Sequence, residues 1–89
     1  MKLIFCSKCG DIFNLKPKEK RCSCGLSGGR YKNSTFAIYW GHYAIPLGLI
    51  NESLSRAIEM QPRKGEGKRF DAFVIPIQSP TFERKKAAE

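Results

Sequence analysis

The sequence has few of the side chains on which enzyme active sites depend. Its 89 residues include one histidine, and its eight acidic residues are outnumbered by sixteen lysines and arginines. It contains no Gly-rich phosphate-binding loop, no dinucleotide fingerprint and no Ser/His/Asp series. These absences argue against nucleotide-dependent enzymes and serine hydrolases.

Long apolar segments are also missing. The longest apolar stretches are far below the roughly 18 residues needed to span a bilayer, and residues 1–5 are too few for a secretory signal. We therefore expect a cytoplasmic protein without a membrane partner. A chain of this length predicts a single domain over residues 1–89, and its small core often needs a metal or a disulfide for support.

Cysteine is confined to one cluster with the spacing C-x2-C-x12-C-x-C, formed by Cys6, Cys9, Cys22 and Cys24. Disulfides are disfavoured in the cytosol, so we interpret all four as thiolate ligands of one structural Zn²⁺. Four soft thiolates suit a tetrahedral ion and leave no open coordination position. Iron in the same cage is an alternative. So is a redox pair or disulfide, although the strand-to-helix setting that lowers a thiol pKa is missing.

Residues 2–31 resemble the zinc-ribbon superfamily on the strength of these cysteine pairs. The resemblance implies two metal-binding turns, or knuckles, joined by a β-hairpin with one metal between them. The second pair is C-x-C instead of the usual C-x2-C, which makes a tighter chelate. The stretches S-G-G-R-Y, A-I-P-L-G and R-F-D-A-F-V-I-P make the chain similar to small zinc-ribbon proteins of bacteria and their viruses. That resemblance implies no particular activity.

Each cysteine pair is followed by a glycine, Gly10 or Gly25, which predicts a left-handed turn that directs backbone N–H groups at sulfur. The segment 27–29 is interpreted as a hinge, or alternatively as a backbone anion nest beside Arg30. Alternation predicts that Phe36 and Trp40 share one strand face, which we assign to the core.

Beyond the cysteines, the hydrophobic pattern predicts a β-β-α-β unit over residues 32–78. It consists of strands ending near residues 40 and 50 with a hairpin turn between them, a helix over 51–61 and a central strand over 70–77. Asn51 is the predicted helix N-cap, and Pro46 predicts a sheet edge or a bulge. Residues 79–89 are expected to be a flexible basic tail. The fold class is α+β, with the ribbon packed on one antiparallel sheet and one helix.

The basic charge is concentrated at the two ends of the chain. Residues 1–34 contain eight Lys or Arg against two acidic residues, and residues 63–89 contain seven against four. A net charge of +8 favours a polyanionic partner. Tyr31, Tyr39 or Tyr43 could serve as a stacking platform for an unpaired base. The candidate contact residues are Lys8, Lys18, Lys20, Arg21, Arg30, Tyr31, Lys32, Arg63, Lys64, Lys68 and Arg69.

These observations lead to one main functional hypothesis and two alternatives. The main hypothesis is a non-enzymatic zinc protein that binds nucleic acid through basic ribbon and loop residues. The first alternative is an adaptor or inhibitor that docks on an acidic surface of a larger complex. The second is a metal-dependent nuclease. The pattern of residues 31–61 predicts a β-β-α unit around His42, which resembles the His-metal finger nucleases. The sequence offers no second histidine as a metal ligand.

Overall fold

The computed structural model describes residues 2–85, which form eight β-strands and one helix in an α+β arrangement, as expected. In chain order the elements are β1 (Lys2–Cys6), β2 (Ile12–Asn14), β3 (Lys20–Arg21), β4 (Gly28–Tyr31), β5 (Ala37–Trp40), β6 (Ala44–Leu49), α1 (Asn51–Glu59), β7 (Ala72–Val74) and β8 (Phe82–Arg84). No helix within residues 2–85 has the length and apolar character needed to cross a bilayer.

The strands form two four-stranded sheets. Sheet A has the order β2-β1-β6-β7 and is antiparallel throughout. Sheet B has the order β3-β4-β5-β8, and its β5–β8 pair is parallel. The prediction of one hairpin joining the two cysteine pairs is wrong, because β2 pairs with β1 and β3 pairs with β4. Each cysteine pair therefore lies at its own hairpin, one in each sheet.

The chain passes from sheet B to sheet A at Gly41. The predicted hairpin between the strands on either side of Gly41 is wrong, since β5 and β6 lie in different sheets. Gly41 has a φ of +116°, and a Cβ atom there would collide with the carbonyl of Leu26 and the Cα of Ser27. Glycine permits both the turn and the close approach of the two segments.

The two sheets share one core, and β5 supplies its central aromatic residue. Tyr39 is 1% exposed, and its ring meets that of Phe82 edge to face with centroids 4.9 Å apart. The predicted alternation along β5 is confirmed by its register, and Ile38 on the face of Phe36 and Trp40 is 3% exposed, but the assignment of those two rings to the core is wrong. Trp40 and Phe36 are half-buried and lie outside the buried core. Both faces of β5 carry apolar residues, so the period of the sequence does not show which face packs against the shared core of the two sheets.

Strand β8 takes the place of part of the flexible tail predicted from residue 79. Phe82 is fully buried. The Ala37 N–H donates to the Thr81 carbonyl at 3.0 Å, and the Lys85 N–H donates to the Tyr39 carbonyl at 2.7 Å. The polar and charged residues around Phe82 concealed this strand in the sequence. The rest of the predicted tail, residues 86–89, lies outside the described residues.

Strand β7 lies at the edge of sheet A and is exposed, so the prediction of a covered central strand is wrong. Pro46 instead lies in β6, between two neighbouring strands. Its carbonyl accepts a hydrogen bond from the Ile75 N–H at 2.9 Å. In an antiparallel strand the N and O atoms of one residue face the same neighbour. The missing N–H of Pro46 therefore faces Ile75, just beyond the end of β7 at Val74, and this pair keeps only one of the two bonds of an antiparallel ladder.

Helix α1 begins one residue earlier than the predicted cap implies. Ile50 is the N-cap and makes no side-chain capping bond, so the assignment of Asn51 as the cap is wrong. The helix is connected to the start of β7 through Ser53, whose Oγ accepts a hydrogen bond from the Asp71 N–H at 2.8 Å. Ala57 is its buried residue. The described contacts thus include one polar link between the first turn of the helix and the edge of sheet A.

Candidate metal centre and basic groove

The four cysteines, which form two separate pairs in the sequence, meet in space. Their Sγ atoms all lie within 4.8 Å of one another. The Sγ of Cys24 is 3.8 Å from that of Cys6 and 3.4 Å from that of Cys22. All four are free thiols, two of them buried and two exposed. Among residues 2–85 they are the one group of three or more potential metal ligands.

This spacing fits a single tetrahedral ion. Zinc–sulfur bonds of about 2.3 Å place the sulfurs of a tetrahedral site about 3.8 Å apart. The sulfur–sulfur distances of 3.4 and 3.8 Å are on this scale, so small shifts of the side chains suffice. A set of four thiolates suits a soft or borderline ion and leaves no position for a substrate. The cluster is therefore a candidate structural metal site.

The two knuckles are built alike, as the glycines predict. Gly10 and Gly25 have φ angles of +79° and +78°. The Gly10 N–H donates to the Cys6 carbonyl at 2.8 Å, and the Gly25 N–H donates to the Cys22 carbonyl at 3.0 Å. These left-handed turns are confirmed.

An extra residue compensates for the shorter second cysteine pair. In the first knuckle the Cys6 N–H donates to the Asp11 carbonyl at 2.8 Å, and in the second the Cys22 N–H donates to the Ser27 carbonyl at 2.9 Å. Both bonds span five residues. The second knuckle has one residue fewer between its cysteines and one more, Leu26, after its glycine. The C-x-C spacing therefore leaves the closing hydrogen bond in place.

A side chain of the first knuckle also holds the second. The Oδ2 atom of Asp11 accepts hydrogen bonds from the backbone N–H of Ser23 at 2.9 Å and from its hydroxyl at 3.1 Å. A carboxylate bonded to a backbone N–H forms one of the stronger kinds of hydrogen bond. The cysteine pairs are thus brought together by protein contacts as well as by any ion they bind.

Ser27 provides a buried polar group beside the sulfurs. Its hydroxyl is fully buried and has no hydrogen-bond partner of good geometry among the described residues. It lies near Cys6, and together with the backbone N–H groups of Cys9 and Lys8 it lowers the pKa of the Cys6 thiol to about 6, against the effect of burial. The Ser27 N–H donates to the Cys22 sulfur at 3.3 Å. These donors suit sulfur in its thiolate form.

The neighbouring sulfurs disfavour ionisation of Cys24. The Leu26 N–H lowers the pKa of Cys24, but burial and the neighbouring sulfurs outweigh it and raise that pKa to about 12. Four crowded thiolates therefore need a compensating cation. A divalent metal ion supplies that charge directly.

The second knuckle borders a concave groove on the outer face of sheet B. The groove has a volume of about 560 Å³. We call it the second-knuckle groove and define it by Arg21, Arg30, Trp40, His42, Tyr43 and Lys85. The strand registers bring Arg30 opposite Ile38 and Gly28 opposite both Arg21 and Trp40. The alternate residues of three strands thereby form one aromatic and basic surface.

Gly28 and Gly29 lie in strand β4, so their interpretation as a hinge or an anion nest is wrong. A Cβ atom on Gly28 would lie 2.5 Å from a carbon of the Trp40 ring. Glycine is needed here because the indole lies directly over the backbone of β4. The guanidinium carbon of Arg21 is 5.3 Å from the Trp40 ring centroid, within the range of a cation–π contact.

The far side of the groove reaches the first knuckle through Tyr43. The rings of His42 and Tyr43 meet edge to face at 5.1 Å. The Lys8 ammonium lies 5.6 Å from the Tyr43 ring centroid, and the Ser7 N–H donates to the Tyr43 carbonyl at 2.9 Å. Of the predicted contact residues, Arg21 and Arg30 line the groove and Lys8 lies at its margin.

The other predicted contact residues lie elsewhere. Tyr31 and Lys32 border a separate depression with Pro17. Arg63, Lys64 and Lys68 line a groove beside helix α1. Lys18, Lys20 and Arg69 are exposed and line neither groove. The predicted basic set is therefore distributed over at least three surfaces.

Sequence reasoning missed Trp40, His42 and Lys85 as groove residues, whereas Tyr43 is one of the predicted stacking candidates. Alternation places Trp40 on the face of Ile38, but that apolar face favours a position in the core. Lys85 lies in the segment predicted to be a tail, and it reaches the groove because β8 pairs with β5. A cation–π partner for Trp40 could not be predicted without the β3–β4 register.

Comparisons with protein-family models, with curated proteins and with solved structures found no match to this chain.

Proposed function

We propose that the chain is a non-enzymatic zinc protein that binds nucleic acid through the second-knuckle groove. One Zn²⁺ bound by Cys6, Cys9, Cys22 and Cys24 would hold the two hairpins in register. The observation that carries the nucleic-acid part is the meeting of Arg21, Arg30 and Lys85 beside aromatic rings in one groove.

Zinc is the ion that best suits the cysteine cluster. The donor set is four thiolates, the sulfur spacing is close to that of a tetrahedron, and zinc is the usual occupant of such closed sites. The role is structural, because no coordination position is left for a substrate.

The charge of the groove supports an anionic ligand. Arg21–Glu19 is the one ion pair among residues 2–85, with a distance of 3.3 Å. Most of the cations on this surface therefore lack an acidic partner in the described part of the chain. Phosphate groups spaced along a strand would complement several of them at once.

The direct test is binding of a labelled oligonucleotide at several salt concentrations. Three phosphate contacts, to Arg21, Arg30 and Lys85, predict a slope of log K against log salt of roughly −2 to −3. Arg30→Ala should weaken binding and reduce this slope by about 0.7 to 1. Lys64→Ala, in the other groove, is the matched control. Absence of binding to RNA or DNA at low salt would refute the proposed function.

A protein partner is the second candidate, and strand β7 favours it. Phe73, Val74 and Ile77 are 48%, 66% and 76% exposed, although all three are apolar. Exposed apolar groups on and beside an edge strand suit contact with another polypeptide. In a pull-down from the native host, a partner that resists nuclease treatment and is lost with Val74→Asp would support this candidate.

A further inference from the structure

We infer that the second-knuckle groove holds one unpaired nucleotide unit, with its base against Trp40 and its phosphate on Arg21 and Arg30. This inference rests on the proposed function and names the form of nucleic acid that the site recognises. It is carried by the position of Trp40 at the groove surface, by the ion pair of Arg21 and by the size of the groove.

The groove has the size and chemistry of a site for one base and its phosphate. Its volume of about 560 Å³ falls within the range of small-ligand sites, roughly 300–1,000 Å³. Bases stack on aromatic rings irrespective of their identity, and cations beside the ring contact the backbone. Trp40 and Tyr43 provide rings, while Arg21, Arg30 and Lys85 provide cations. The site combines both requirements.

An unpaired base fits this groove better than a duplex does. Trp40 is half-buried, with part of its indole over Gly28. The bases of a duplex are stacked on each other, and their faces are not available to such a ring. A duplex would present phosphates to the cations and leave Trp40 without a partner. A flipped-out or single-stranded base can enter and pack against the indole.

Glu19 occupies part of the position that a phosphate would take. Its Oε2 atom is 3.3 Å from a terminal nitrogen of Arg21, and the two side chains are about half exposed. The same guanidinium donates to the Gly25 carbonyl at 3.3 Å and lies over Trp40. A phosphate can replace the carboxylate as the partner of Arg21, and a base that packs on the indole then takes the place of the guanidinium over Trp40. Removal of the Glu19 charge should strengthen binding.

Trp40 makes the inference measurable because it is the single tryptophan of the chain. The zinc-loaded chain is titrated with a labelled single-stranded oligonucleotide, with the matching duplex and with a mononucleotide. Anisotropy of the label reports strand binding, and tryptophan fluorescence reports contact with Trp40. We expect the single strand to quench the tryptophan fluorescence strongly. The duplex, added to the same nucleic-acid absorbance, should quench it little. Quenching by the mononucleotide would also support the site, with a free nucleotide as its ligand.

Three variants complete the test. Trp40→Ala should weaken single-strand binding about tenfold or more, and Glu19→Gln, at an exposed position, should tighten it severalfold. Phe73→Leu is the control, because Phe73 is an exposed aromatic residue on sheet A, and this variant should bind as the wild type does. Circular dichroism checks that each variant is folded. If Trp40→Ala does not fold, the wild-type quenching and Glu19→Gln still decide the outcome.

The failures of the two proposals are distinguishable. Oligonucleotide binding without quenching of Trp40, or with equal affinity for duplex and single strand, would overturn this inference and leave the proposed function standing. Quenching by an acidic peptide, with no effect of any nucleic acid, would overturn both. Absence of binding by every nucleic acid tested would also overturn both.

Discussion

At the scale of single residues, Gly41 and Ser27 determine how the second knuckle meets strand β5. Gly41 combines a positive φ with close contact to the backbone of Leu26. Ser27 places a buried hydroxyl beside Cys6. The glycines after each cysteine pair could be interpreted from the sequence because the turn after a knuckle is local. The role of Gly41 could not, because Leu26 is distant in the chain and close only in the fold.

Gly41→Ala should destabilise the fold by at least about 3 kcal/mol, since it adds a backbone collision to the strain of a positive φ. Gly65→Ala is the matched control. Gly65 also has a positive φ, +104°, but a Cβ atom there would meet nothing within 4 Å. We expect a cost of about 1 kcal/mol for this control. Chemical denaturation measures the free energy of unfolding of the two variants. An equal loss of stability in both would contradict the close approach of Gly41 to the backbone of Leu26.

Ser27→Ala should weaken zinc binding about tenfold, because it removes a buried hydroxyl beside Cys6 that favours the thiolate form, and polar groups around metal ligands typically contribute roughly 10–100-fold to metal affinity. The measurement is competition with a chelator of known affinity. Ser34→Ala, at an exposed position distant from the cysteines in the chain, is the control. If both variants bind zinc as tightly as the wild type, the Ser27 hydroxyl does not act on the Cys6 sulfur.

At the scale of elements, the sequence predicted which segments are strands better than it predicted their partners. The α+β class, the helix and the strands near the cysteines follow from alternation and turn residues. The pairings β1–β6 and β5–β8 join segments that are far apart in the chain, and alternation carries no information on such partners. Strand β8 was missed altogether because its one buried apolar residue, Phe82, is surrounded by polar residues.

Phe82→Ala tests whether β8 is an integral strand. The ring of Phe82 is fully buried against Tyr39, so its removal should cost about 3–5 kcal/mol. Phe73→Ala, which removes a ring that is 48% exposed, should cost about 1 kcal/mol or less. Urea denaturation compares the two variants. A small loss for Phe82→Ala would mean that the segment is a loose tail after all.

At the scale of the whole molecule, the cysteine cluster joins the two sheets. Cys6 and Cys9 come from the first hairpin of sheet A, and Cys22 and Cys24 from the first hairpin of sheet B. The quartet itself could be predicted, because ligand spacing in the sequence implies proximity in space. Its position between two sheets could not, because the predicted fold had a single hairpin joining the knuckles.

Cys9→Ser should release the metal and unfold the chain, because in a small metal domain the binding energy supports the fold. Ser7→Ala, in the same knuckle but outside the cysteine set, should retain both metal and fold. Its hydroxyl is exposed and donates to the Tyr43 carbonyl at 3.2 Å. Circular dichroism with thermal melting compares the two variants. A Cys9→Ser chain that melts like the wild type would show that the fold does not depend on the metal.

In the proposed function, one zinc ion held by the four cysteines connects the two sheets. Elemental analysis of the chain, purified under reducing conditions without added metal or chelator, tests it most directly. The predicted result is one zinc per chain, lost together with the folded signal on strong chelation. A folded chain that contains no metal would contradict the claim.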